Sequence, residues 1–85
     1  ISNQSMDSKQ ILQELNSIFI KILDNEKIIL TPETTAEDIA EWDSITHIEL
    51  IVAIEKHFKI KYTLSELGKL KNAGEMVELI SQKTN

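Results

Sequence analysis

The chain has 85 residues, no cysteine, two glycines and one proline, and a net charge of −5. That length makes one small domain with a modest core and excludes a deep active-site cleft; the missing cysteines exclude disulfides and thiolate metal sites, and no apolar run is long enough to span a bilayer. The charge is concentrated in residues 24–55, where nine acids face Lys27 alone, a field that repels nucleic acid and either steers in basic protein partners or is an ordinary solvated surface.

Ile1 to Met6 is polar and aperiodic and shows no signal-peptide pattern. It reads as a disordered tail or expression remnant ahead of a start at Met6. Asp7 or Ser8 can then cap a first helix. Ile11, Leu12, Leu15, Ile18, Phe19, Ile22 and Leu23 recur at helical spacing and form one broad apolar stripe, with Ile20 outside it. Asp24-Asn25 ends this helix.

Glu26 to Asp43 is a long connection, and a loop of this length in a small domain has a function or packing of its own. Ile28, Ile29 and Leu30 are expected to dock it onto the helices. Thr31-Pro32 requires extended backbone at Thr31. Thr35-Ala36-Glu37-Asp38 can cap a single helical turn that buries Ile39. Asp24 and Glu26 do not open a calcium loop, because the glycine and the closing glutamate that such a loop needs are missing.

A second helix runs from Ser44 to about Phe58, with Asp43 as its N-cap. Measured from Ile45, His47, Leu50, Ile51, Ile54 and Phe58 fall at about 140–240° around the axis and make the core face. Ile45, Ile48, Glu49, Val52 and Lys56 fall on the opposite side, within about 60° of Ile45. A solvent-facing side should be polar. Either the long loop covers these three branched apolar residues or they form a docking strip, and the serine on the same helix favours docking.

Lys59-Ile60-Lys61-Tyr62 is an extended link whose lysines, with Lys56, complement the negative end of the preceding helix. Thr63-Leu64-Ser65-Glu66 has the capping-box pattern and starts a short third helix that ends near Gly68. Ala73, Met76, Val77 and Ile80 follow the i, i+3, i+4, i+7 rule and mark the last helix. There is no internal repeat and no convincing strand alternation. The expected fold is all-α, a small four-helix bundle with a long loop after the first helix and a short third helix.

Intrinsic catalysis finds little support. His47 faces the core and His57 lies about 15 Å further along the same helix, so each is read as structural. No Ser-His-acid set and no glycine-rich phosphate loop is present, and pairs such as Glu37 and Asp38 read as solvated loop charges. We therefore expect no enzyme activity and no metal site.

The stretch that stands out is Glu41-Trp42-Asp43-Ser44-Ile45. Ser44 falls at the first position of the second helix, exposed beside unpaired N–H groups and the positive dipole end, where a phosphate ester would be stabilised. Trp42-Asp43-Ser44-Ile45-Thr46-His47-Ile48-Glu49-Leu50 resembles the Asp-Ser-Leu helix start of acyl carrier proteins, with Ile45 in the Leu position, and the resemblance extends roughly from Ser8 to Ser81.

It implies that Ser44 carries a 4'-phosphopantetheine arm, donated from coenzyme A by a magnesium-dependent phosphopantetheinyl transferase, and that residues 7–83 form a single carrier domain. The arm's thiol would hold an acyl group as a thioester. Asp43, Ile45, Ile48, Glu49 and Val52 stand at the positions that recognise partners, which include acyl-loading and acyl-transfer enzymes with basic docking patches. A monomer in the cytoplasm, not inserted in a membrane, is expected.

Three features depart from the family pattern. Thr46, Lys56 and His57 occupy positions that are often acidic, Trp42 replaces a small residue, and Ile45 replaces Leu. They favour a specialised carrier in a dedicated pathway over general fatty-acid synthesis. The alternative, of another class, is a small helical adaptor that binds proteins and is never modified.

Overall fold

The computed structural model describes residues 7–84. The expectation for residues 1–6 lies outside the described residues. Four helices follow in order: α1 (Ser8–Leu23), α2 (Ser44–Phe58), α3 (Leu64–Leu67) and α4 (Ala73–Thr84), with a single 3-10 turn at Ala36–Asp38 inside the long loop. Among the described residues there is no strand, only an isolated antiparallel bridge between Thr35 and Asn72. This is the expected all-α bundle with its short third helix.

Each boundary has a local cause. The Asp7 carboxylate accepts from the Gln10 amide and caps α1, and Asp24 closes it in the left-handed conformation at φ 55°. Lys59 does the same for α2 at φ 58°. The expected capping box of α3 is present, with Thr63 and Glu66 bonding each other's amides, and Gly68 follows as its C-cap. Glu66 also meets Lys83 of α4 at 2.8 Å, and that bond holds its carboxyl below the usual range. The Asn72 side chain starts α4 by accepting from the Glu75 amide at 2.8 Å.

α1 is the central element and packs on both α2 and α4. Ile11, Leu15 and Phe19 of α1 interlock with Leu50 and Ile54 of α2 and Met76 and Ile80 of α4, all fully buried. The phase assignment of α2 holds for Leu50, Ile51, Ile54 and Phe58, while His47 is half-buried. Leu12 and Ile22, expected in the core stripe, sit at its edge and are only partly covered, as is Ile20.

The long loop is tied down by polar groups. The Asn16 side chain donates to the Ile28 carbonyl at 3.1 Å and accepts from the Leu30 amide. It thereby holds this stretch extended along α1. Extended backbone turns successive side chains to opposite sides, so Ile28 and Leu30 are buried but Ile29 is 82% exposed. The expectation that all three dock is corrected for Ile29.

Further on, the amides of Ala73 and Gly74 donate to the carbonyls of Thr34 and Pro32, both at 2.9 Å, fixing the loop to the start of α4. The 3-10 turn has the expected Thr35 capping box, with Asp38 as its second member. Ile39 after it is half-buried rather than buried.

Candidate functional site

The loop reaches α2 through a capping arrangement that places every atom of its first turn. The Asp43 Oδ1 accepts from the amides of Ile45 and Thr46, each at 2.9 Å. In return the Thr46 hydroxyl accepts from the Asp43 amide at 2.8 Å and donates to the Glu41 carbonyl at 2.7 Å. This is a capping box with threonine as its second member. The bond from the Thr46 amide, with the others, holds the Asp43 carboxyl below the usual carboxylate range. Asp43 is ionised at neutral pH, and its Oδ2 takes no part in the cap.

Ser44 is the first residue of α2 and is exposed. Asp43 engages the two amides beyond it and leaves the Ser44 hydroxyl aside. The expected phosphate-stabilising amides are therefore corrected in part: those of Ile45 and Thr46 are already taken by Asp43. What remains for a phosphate ester is the Ser44 amide and the positive end of the helix dipole. A hydroxyl in this position is open to a modifying enzyme, and an arm attached there would extend into solvent without disturbing the core. The site fits a tethered group and offers no cavity of its own.

Past Ser44, one face of α2 is left uncovered. Ile45 is 70% exposed, Ile48 65% and Val52 46%, and Glu49 lies among them, also exposed. The loop does not cover this strip. Asp43, Ser44, Ile45, Ile48, Glu49 and Val52, the candidate residues read from the sequence, are all exposed along this surface.

Sequence reasoning missed what lies beneath that surface. Trp42, noted only as an unusual residue before Asp-Ser, is 4% exposed. It stands edge-on to Phe19 of α1 with ring centroids 4.9 Å apart. Its indole Nε1–H donates to Nδ1 of His47 at 3.0 Å. Burial lowers the His47 pKa, so the neutral imidazole that this bond requires is also the favoured form. Thr46 was noted as a missing acid, although Asp43-x-x-Thr46 was a readable capping signal.

The other histidine is accounted for by the fold. His57 pairs with Glu14 of α1 at 2.8 Å on the surface, a contact worth at most about 1 kcal/mol. Among the described residues no group of His, Asp or Glu side chains could hold a metal ion, and no helix is long and apolar enough to cross a membrane.

Comparison with known proteins bears on the same site. A family model described as "Phosphopantetheine attachment site" matches residues 13–80. An acyl carrier protein from Thermosynechococcus vestitus is 30% identical over 80 residues, covering 92% of this chain and 96% of the relative. One from Picosynechococcus is 27% identical over 77 residues, covering 91% and 95%. Among solved structures, the solution NMR structure of a holo acyl carrier protein from Geobacter metallireducens superimposes with a TM-score of 0.82 at 48% identity, covering 86% of this chain and 84% of that one.

Proposed function

Because this chain belongs to the phosphopantetheine-bearing acyl carrier protein family, we propose that Ser44 is its attachment residue and that the exposed face of α2 is where its partners dock. The chain is a carrier and not an enzyme, and its prosthetic group is a covalently attached 4'-phosphopantetheine. When bound, the arm supplies a thiol that holds an acyl group as a thioester. The protein's own residues then have three tasks: to present one hydroxyl for modification, to hold the helix start rigid around it, and to be recognised by successive enzymes at high effective concentration.

The observation that carries the proposal is the exposed Ser44 hydroxyl at the start of α2, beside a capped and ionised Asp43. In the modification step that hydroxyl loses its proton and attacks the pyrophosphate of coenzyme A on the transferase, and the nucleotide half leaves. Ile45, Ile48 and Val52 form the apolar part of the docking face, and Asp43 and Glu49 its acidic part. Partners should therefore offer an apolar patch ringed by basic side chains. Residues 7–83 act as one carrier domain.

We further propose a specialised biosynthetic role, for an acyl, aminoacyl or polyketide-type group. The support is the thinning of acids on α2. Thr46 is committed to the cap and His57 to Glu14, which leaves Glu49 as the acid of the strip beyond the cap. Such a face suits a small set of matched partners better than many general ones.

Intact-mass measurement after incubation with coenzyme A, magnesium and a broad-specificity transferase tests the attachment. One phosphopantetheine should be added, and Ser44→Ala should abolish the addition without loss of fold, since Asp43 still caps α2. Addition at another serine, or none with several transferases, refutes Ser44.

A further inference from the structure

The Trp42–His47 bond joins two residues on either side of Ser44, one at the end of the loop and one in the first turn of α2. Trp42 is wedged between α1, through Phe19, and α2, through His47; the planes of its ring and the imidazole lie within 12° of parallel. The loop end, Asp43 and Ser44 are thus clamped from beneath by a single side-chain hydrogen bond, in addition to the cap at the surface. That bond has a chemical condition. Nδ1 accepts only while it carries no proton; an imidazolium donates from both nitrogens. On protonation two N–H groups would face each other, and a buried indole N–H would lose its partner.

We propose that Trp42 and His47 are positioning residues for Ser44: the neutral pair holds the loop end on the first turn of α2, and protonating His47 releases that turn and slows modification of Ser44. This rests on Ser44 being the attachment residue. The charged groups nearby do not offset the effect. Glu41 of the loop is held toward the Asn25 side chain at 3.3 Å, Asp43 is bound to the amides of α2, and Glu49 faces solvent. α1 presents the apolar ring of Phe19. Burial is the cause of the His47 shift, with no ion pair behind it.

The sign follows. An unfolded histidine titrates near 6.5, and His47 in the folded chain titrates lower. Its contribution is fully present above about pH 6.5 and is lost as the pH falls through the folded value.

The chain has one tryptophan and two histidines, so the ¹⁵N-labelled protein gives one indole N–H signal and two imidazole titrations. The indole signal should move with the midpoint of His47, below the ordinary value, and not with that of His57. Rates of Ser44 modification, measured from about pH 7.5 to about pH 5, are then taken as ratios to His47→Asn, which offers an acceptor that does not titrate and cancels the transferase's own pH response.

The wild-type ratio should fall by about fivefold or more, the lower end of what an unpaired buried donor costs. His47→Leu, which offers no acceptor, should behave at neutral pH as the wild type does in acid. An indole signal indifferent to the His47 titration overturns the latch, whether or not the variants fold. A constant ratio at every pH overturns its link to Ser44. If none of the proteins is modified at any pH, the attachment reading fails, and the titration alone still decides whether the latch opens.

Discussion

Truncating Ile48 and Phe58 to alanine separates the two faces of α2, one proposed for docking and one buried for stability. Ile48 is 65% exposed, so the fold covers about a third of it. Full burial of such a side chain is worth about 1.5–3 kcal/mol, so Ile48→Ala forfeits about 0.5–1 kcal/mol of burial. Alanine's better helix propensity returns about 0.4 kcal/mol. The net cost to the fold is about 0.5 kcal/mol or less. Phe58 is 9% exposed and packs at the end of the core. Its truncation should cost about 3–5 kcal/mol, a large share of the stability of so small a domain.

The order reverses in the modification assay. If a transferase covers the exposed two thirds of Ile48, losing that contact costs about 1–2 kcal/mol, or about five- to thirtyfold in kcat/KM. Urea unfolding gives the first quantity and mass-resolved modification kinetics the second, with circular dichroism to confirm that Ile48→Ala is folded. Greater damage to stability from Ile48→Ala than from Phe58→Ala would refute the assignment of faces. Wild-type kcat/KM in folded Ile48→Ala would refute docking on this strip.

Glu49→Lys should slow association with the transferase several-fold at low ionic strength and much less at about 0.5 M salt, where surface charges are screened; a salt-independent loss would mean that charge steering is not its role. Gly74→Ala should destabilise the domain by about 1–2 kcal/mol, because the added Cβ would stand 2.8 Å from the Pro32 carbonyl oxygen and 3.1 Å from its Cβ, and urea unfolding at unchanged m-value measures it. Gly68→Ala is the counterpart: its nearest atom is 3.7 Å away and its φ is −72°, so alanine should add about 0.4–1 kcal/mol of stability, and a loss there would show that the turn after α3 is tighter than its geometry.

The helices were legible because their signals are local. A 3.6-residue apolar period marks α1, α2 and α4, and each cap lies within three residues of the amide it satisfies. The same locality explains the misses. Ile28, Ile29 and Leu30 carry equal hydrophobicity, and nothing in the triplet says that Asn16 holds the segment extended and turns the middle residue outward. Trp42 sits among Glu41, Asp43 and Ser44, and nothing in that polar run says whether the indole is buried. Its burial is decided by Phe19, far away in the chain. His47 could be placed on the core face by its angle, but periodicity names a face and not a hydrogen-bond partner. The candidate site was visible where it is polar and capped, and hidden where it is supported.

Three of the departures from the acyl carrier pattern have a structural role. Thr46 is not merely a lost acid: its hydroxyl closes the cap between Glu41 and Asp43. His57 stands in place of an acid and meets Glu14 of α1 at 2.8 Å. Trp42, too large for its place by family habit, fills the space between α1 and α2 and bonds His47. Thr46 and Trp42 thereby join the scaffold around Ser44, while His57 contacts α1 at the far end of α2. The acids left on the proposed docking face are then Asp43, with one carboxylate oxygen bound in the cap, and Glu49. With so few charges to attract a partner, the proposed docking would rest on Ile45, Ile48 and Val52, whose apolar contacts would slow dissociation and be insensitive to salt. On the proposed docking, such a carrier would discriminate by fit more than by charge, which is the physical basis for proposing few and dedicated partners.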